Sequence, residues 1–592
     1  MNVLVIRKLT SVFILLISLC ACGGGSGSSS AAPSSTASPG EASTRSAINI
    51  PEIDIDAGDK SDPFSINRLM DIRITMPAAD FAQLRGEGRT LASTARKCIA
   101  DFDYTEFTSS VAIDEEVLSD VVVRKKGFLG SLSQQRPSIK LDFNDLVEDR
   151  TYQGRKGMTL NNNRQDASNI RQCMAYDIFR AEGIAAPLCN FAKVSVNGED
   201  LGIYTHVEAI KKPFLERTFG DDDGNLYESS IADFGTHLND LFEKKTNKKE
   251  DDRSDLTSVS DALALPDEQL LSSLETLLDV DEFITFWAIE TLLGHWDSAT
   301  GNANNFYIYR NPADNLFHFI PWGADTAFTG PHPLKPGSAP LYRNFNLASR
   351  LYKIDSTRTH YLATLERLLK QHWVEQDLLN EIGRIKALTN TPREDFDPIL
   401  DFIYGVGQQG DSNYKPSQRL TLNNAIAGQA PIATETLLVD EPQDCITPVI
   451  SSNLTGEISS RNGVDQGSFS FTLPDGHIVN ASLNLAALQT DSLIYSLNTQ
   501  TQPSVVSLIL VGADTNDNFK PYILQVFIES TSYKPGVQSL HGIASSIFLF
   551  DLDSSENLRT LGLSDTGSIN FSNADQGDVT MSLDVEIEFN AN

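Results

Sequence analysis

The sequence predicts an α+β fold: a two-lobed domain of mixed strands and helices, followed by an all-β, sandwich-like domain. Three observations predict it. Residues 121–207 alternate strand signals with a single amphipathic helix. Apolar runs at helical spacing then dominate, as in 283–293 and 361–388. From about residue 447 short alternating runs are separated by Gly, Asn and Asp, the texture of a sheet domain.

Each element has a local cause. Val121–Ser131 (VVVRKKGFLGS) reads as a strand running into a basic, glycine-containing turn. Pro137–Phe143 alternates faces, so Lys140 and Ile139 point oppositely and Lys140 can aim into a cleft. Ala167–Ala181 carries Ile170, Met174, Ile178 and Phe179 at helical spacing, with Asp166 or Ser168 as candidate caps and Gly183 just past the end. Phe191–Val196 and Leu201–Val207 form a hairpin signal turning at Asn197-Gly198. Phe283, Phe286, Trp287, Leu292 and Leu293 mark a helix that ends at His295-Trp296-Asp297. Two short strands follow, Phe306–Tyr309 and Phe317–Ile320, and then Tyr361–Trp373 and Gln376–Leu388 read as buttressing helices. Runs such as Ser468–Leu473, Val506–Leu510 and Ile547–Phe550 supply the β-rich end.

The chain of 592 residues divides into a leader (1–22), a Gly/Ser-rich tether (23–48), a main domain (50–430), a linker (431–446) and the β-rich domain (447–592). Arg7 and Lys8 precede the apolar run Val12–Leu19, and Leu19-Cys20-Ala21-Cys22 follows. This resembles a bacterial lipoprotein signal with Cys22 as the lipidated residue, which places the protein on the cell envelope, periplasmic or extracellular, touching the membrane only through its N-terminal lipid. A formal net charge of −32 argues against a nucleic-acid partner. Cys98, Cys173, Cys189 and Cys445 can form two bridges in three ways, with Cys173 and Cys189 near enough in sequence to pair. No C-x-x-C pair suggests zinc.

The most informative window is His295–Phe328. Asp297 precedes Asn302 by five residues, Asn305 opens a strand, and the next strand delivers Asp325. Phosphoryl transfer needs a carboxylate at the acceptor hydroxyl and oxygen ligands for a hard divalent cation, and Asp plus Asn suits that need. The D-x-x-x-x-N spacing matches the protein-kinase catalytic loop. The plainer reading, an Asp-capped turn, uses the same residue types. Similarly, Lys140 on a solvated strand, Lys125 and Lys126 in a solvent-facing turn, His295 as a loop hydrogen-bond partner and Trp287, Trp296 and Trp322 as core aromatics are the structural alternatives. Asp221-Asp222-Asp223-Gly224, Asp514–Asn518 and Asp551–Glu556 read as polar turns.

Taken together, RKKGFLGS, RPSIKLDF, TLNNNRQDASNIRQCMAYDIFR, VSVNGEDLGIYTHVEAIKKPFL, GNLYE, NNFYIYRNP and PWGADTAF resemble the CotH (spore-coat protein H) kinase family of atypical secreted protein kinases, over roughly Ile53–Gly428. The resemblance implies a kinase-like fold that binds ATP with Mg or Mn and phosphorylates protein substrates in the envelope or outside the cell. It implies Asp297 as the catalytic acid and Asp325 as a metal ligand, with Asn302 or Asn305 as the amide ligand. Lys140 would steady the nucleotide phosphates, the turn Lys126-Gly127…Ser131 would cradle them, and Glu208 would lie at the hinge, meeting the base through backbone groups. Two departures stand out. Trp322-Gly323-Ala324-Asp325 lacks the first acid of the family's W-D-x-D stretch, which weakens a second metal site or alters cation preference. The helix 167–181 offers only Asp177 before Glu182 as an acidic partner for a lysine. A catalytically silent surface protein with a structural or adhesive role is the alternative reading.

Overall fold

The computed structural model describes residues 48–590, except 57, 89–102, 128–130, 251, 331–339, 413, 429–447, 462–463, 484–504, 530–532, 541–544, 553–557 and 575–578. The leader, Cys22, most of the tether, Cys98, the linker and Cys445 lie outside the described residues.

Seven strands close into a barrel: β1 (Leu69–Thr75), β2 (Glu106–Ile113), β3 (Glu116–Lys126), β4 (Ser138–Asp142), β5 (Gly157–Asn161), β6 (Cys189–Val196) and β7 (Glu199–Val207). The order is β1-β2-β3-β4-β5-β7-β6, and a parallel β1–β6 pairing, Ile72 opposite Val194, closes the ring. Alternation drives the closure: Met70, Ile72, Ile74, Val121, Val123, Ile139, Leu141 and Val194 all face one packed interior. The β6–β7 hairpin turns at Asn197 and Gly198, both at positive φ, as an Asn-Gly turn requires.

Outside the barrel, short α1 (Ala78–Gly86) precedes β2, and α2 (Arg171–Ala181) links β5 to β6. This helix starts four residues later than its periodicity predicts. Asn163 and Asn169 adopt left-handed backbone, and residues 166–169 form turns instead. The cap position falls to Ile170 instead of Asp166 or Ser168, although Asp166 still accepts from the first helical amide, Arg171 N, at 2.8 Å. Cys173 on α2 is disulfide-bonded to Cys189 at the start of β6.

A second core surrounds α6 and a small sheet. The chain passes through α3 (Lys212–Phe219), β8 (Asn225–Ser230), β9 (Phe242–Lys244), α4 (Ser254–Ala264), α5 (Asp267–Leu274), α6 (Val280–Leu292), the single turn α7 (Ala299–Asn302), β10 (Asn304–Asn311) and β11 (Leu316–Pro321). The sheet order is β11-β10-β8-β9. Helix α6 is apolar around its circumference because it is enclosed: Phe283 and Phe286 pack on Phe319, and Trp287 stacks on Tyr361 at 3.7 Å. Helices α8 (Asn346–Lys353), α9 (Asp355–Gln371), α10 (Glu375–Thr389), α11 (Asp397–Tyr404) and α12 (Gln418–Ile426) complete this core. No helix among the described residues is long and apolar enough to cross a membrane.

The C-terminal region is all β, from β12 (Pro448–Arg461) through β13 (Val464–Thr472), β14 (Ile478–Leu483), β15 (Val505–Asp514), β16 (Pro521–Glu529), β17 (Gly536–Ser539), β18 (Ser546–Leu552), β19 (Leu558–Ser564) and β20 (Gly567–Ala574) to β21 (Val579–Asn590). Two facing sheets were expected from the sequence. Instead, ten strands form one continuous antiparallel sheet in which β12 also pairs with β21, so the pairing returns on itself. The cause is the length of the two terminal strands. β21 offers one edge to β12 along nearly its whole length and the other to β20 and then β19.

Candidate active site

Asp297 sits in the loop between α6 and α7, buried and held by amides. Its Oδ1 accepts from Asn302 Nδ2 at 2.7 Å and Asn304 Nδ2 at 3.1 Å, while its Oδ2 accepts from Asn305 Nδ2 at 2.9 Å. Asn305 reaches it because the β8–β10 ladder bulges there: the register shifts between Asn304 and Phe306, and Asn305 has φ of 55°. The loop itself is tied to α6 by Glu290, whose carboxylate accepts from the Ala299 and Thr300 amides and the Thr300 hydroxyl. Burial nevertheless pushes the Glu290 carboxyl up to about 7.

Asp325 lies on the turn after β11. Burial pushes its carboxyl up to about 7, with the Asp297 charge adding to the rise and Lys126 opposing it. Two links hold this turn. His295 Nδ1 meets the Thr326 hydroxyl at 2.8 Å, and Arg171 donates to the Asp325 carbonyl at 3.3 Å. His295 is kept neutral, pulled down to about 3 by burial, so it acts as a hydrogen-bond partner.

The lysine nearest the acids comes from the end of β3. Lys126 Nζ lies 5.4 Å from the Trp322 ring and donates to Asn161 Oδ1. Burial draws it down to about 8, against the charges of Asp325 and Glu228. Lys140, on the neighbouring strand, is drawn down to about 7 by burial, with Glu228 opposing. Despite its own burial, Glu228 is held down to about 2 by Lys245, its ion-pair partner at 2.5 Å, and by Lys140. The site therefore has an acidic side, Asp297 and Asp325, and a basic side, Lys126, Lys140 and Lys245, with Glu228 among the lysines.

Not every candidate joins this group. Lys125 is fully buried and points the other way, donating to the Arg85 and Glu87 carbonyls at the end of α1; it is neither solvated nor a cradle. Glu208 pairs with Arg155 and Arg217 and accepts from the Leu188 amide, a structural engagement. Gly127 has φ of 118° and packs on Ser131, whose carbonyl accepts from Asn162. Asp177 pairs with Arg180 and, among the described residues, with no lysine.

The Gly323 departure has a structural cause. Gly323 has φ of 48°, and a Cβ there would lie 2.4 Å from Asn305 Oδ1. A side chain at 323 and the bulged Asn305 exclude one another. Sequence reasoning passed over Glu228, Glu290 and Asn304. Glu228 answers to Lys140, far away in the chain, whereas Asn304 and Glu290 act on the neighbouring loop and match no recognised spacing.

Residues 123–398 match the family described as CotH kinase protein. The chain is 27% identical to the inner spore coat protein H of Bacillus subtilis over 239 residues, covering 38% of this chain and 65% of that protein. It is 24% identical over 195 residues to the invasins CotH2 and CotH3 of Rhizopus delemar, covering 30% of this chain and 33% and 32% of theirs. The chain thus spans less than two thirds of the length of these relatives.

Proposed function

We propose that this protein is a phosphotransferase of CotH type, with a two-lobed, kinase-like arrangement in which the barrel and the helical core flank the site. It takes ATP with Mg²⁺ or Mn²⁺ and phosphorylates protein substrates on the envelope or outside the cell. One observation carries this reading: Asp325 is buried in the field of Asp297, with Lys126 opposing and Arg171 at its backbone carbonyl. Such a pair calls for a cation. The donor chemistry fits a hard one, since every candidate atom is oxygen. Among the described residues no three His, Cys, Asp or Glu side chains cluster, so phosphate oxygens and water would have to complete the ion's coordination.

Asp325, with the amide oxygen of Asn302 or Asn305, would hold the cation, which when bound neutralises phosphate charge. Lys126 and Lys140 would neutralise the remainder. Asp297, fixed by three amides, orients the acceptor hydroxyl. As the hydroxyl oxygen bonds to the γ-phosphorus, the bond to the β-phosphate oxygen breaks, ADP leaves, and the hydroxyl proton passes to Asp297.

The test is a thermal titration with ATP and Mn²⁺ followed by transfer assays with γ-labelled and α-labelled ATP. The melting temperature should rise in wild type and Asp297→Ala but not in Asp325→Ala, and only the γ-label should transfer, lost in both variants. Normal transfer by Asp325→Ala ends the reading. The names of the Rhizopus relatives, invasins, favour a second one, an adhesive surface role without catalysis. A wild-type protein unresponsive to nucleotide would support it.

A further inference from the structure

Among the described residues, the acid of α2, Asp177, pairs with Arg180 and not with Lys126. The structure supplies a neutral alternative. Lys126 Nζ donates to Asn161 Oδ1 at 2.5 Å, and Asn161 Nδ2 donates to Gln172 Oε1 at 2.6 Å. Asn161 ends β5, and Gln172, 1% exposed, lies in the first turn of α2. Each atom is used in the sense its chemistry allows: the ammonium only donates, the amide oxygen accepts, and the amide nitrogen passes the chain onward. The adjacent residue, Arg171, donates to the Asp325 carbonyl. One helical turn thereby touches the basic side of the site through residue 172 and the acidic side through residue 171.

We infer that Gln172 is a positioning residue, fixing the Lys126 ammonium through Asn161 so that α2 sets the separation between Lys126 and Asp325. A neutral relay differs physically from an ion pair. It orients the ammonium without cancelling its charge, which stays available to an anionic ligand. Breaking it frees the side chain to swing and leaves the Asn161 amide without its acceptor. The assignment of phosphate as that ligand rests on the reading above; the relay itself does not.

The test separates the two. Purified wild type, Asn161→Leu, Gln172→Leu and Gln172→Glu are labelled with an amine-acylating reagent at fixed pH, and Lys126 is followed by peptide mass spectrometry with exposed Lys193 as reference. Labelling of Lys126 should rise about threefold or more in both leucine variants, consistent with loss of one hydrogen bond to a charged group, and return to the wild-type rate in Gln172→Glu, which keeps the acceptor oxygen. Unchanged labelling in either leucine variant overturns the relay. Asn161→Ser and Gln172→Ala serve if a leucine variant does not fold. In parallel, Mn²⁺–ATP affinity should fall about tenfold in the leucine variants and recover in Gln172→Glu. Wild type without nucleotide affinity would defeat the phosphotransferase reading, and the labelling result would still decide the relay.

Discussion

Asn305 Nδ2 lies 2.9 Å from the carboxylate Oδ2 of Asp297 and 2.9 Å from its backbone carbonyl oxygen, so one amide group clamps both ends of the residue. The clamp fixes the side-chain torsion of Asp297 and not merely its position. Asn305→Ala should therefore destabilise the fold by about 1–3 kcal/mol, the cost of leaving a buried acceptor unmet, read by urea denaturation. Phosphoryl transfer should fall further than the affinity for nucleotide, because orientation is lost while the cation-facing Asp325 remains. Equal losses in both would show that Asn305 acts on the nucleotide side instead.

The same amide accounts for the glycine at position 323, and this yields a second prediction. Gly323→Asp places a side chain in left-handed backbone, at about 1–2 kcal/mol, and drives its Cβ into Asn305 Oδ1. The unfolding midpoint should drop by several degrees. Adding Asn305→Gly removes the collision and should recover part of that loss, giving a coupling of roughly 0.5–3 kcal/mol in a double-mutant cycle. Strict additivity of the two changes would show that the residues do not compete for space.

How far this arrangement was legible beforehand depends on where each partner sits in the chain. The β6–β7 hairpin declared itself because Asn197-Gly198 is a local signal. Asp297 and Asn302 stood out because only five positions separate them. The roles of Lys125 and Lys126 did not, since two adjacent lysines on a strand point to opposite faces and only the surrounding fold says which face holds the site. Asn305 was ambiguous because its reach depends on a bulge, which no composition marks. The single closing sheet at the C-terminus was hidden for a related reason: alternation reveals strands, whereas the β12–β21 pairing joins residues more than a hundred positions apart. Glu228 depends on Lys245, one residue past β9, and on Lys140 of β4 in the barrel.

The Cys173–Cys189 disulfide, with a sequence separation of 16, ties α2 to the first residue of β6. A loop of that size restrains the unfolded chain by about 3 kcal/mol in the chain-entropy view. Cys173→Ser with Cys189→Ser, or incubation of wild type with reductant, should lower stability by about 2–4 kcal/mol. Because α2 carries Arg171 and Gln172, nucleotide affinity should also weaken in the reduced protein. A stability equal to wild type in the double serine variant would show that helix packing alone fixes this junction.

His206 predicts how the barrel responds to acid. Its ring stacks on Phe64 at 4.4 Å and is buried, and burial, with Arg155 adding, pulls it down from its ordinary 6.5 to about 3. The folded state thus holds the ring neutral while the unfolded chain protonates below pH 6.5. The stability it contributes is fully present above pH 6.5 and is lost as the pH falls toward 3, at up to about 1.4 kcal/mol per pH unit. Carboxylates titrate over part of this range, so the informative quantity is the difference from His206→Phe, which keeps an aromatic ring against Phe64 and cannot protonate. Between pH 6.5 and 5 the stability of wild type should decline more steeply than that of His206→Phe by close to one proton's worth of slope. Parallel pH profiles in urea denaturation would mean that the ring accepts its proton without opening the barrel.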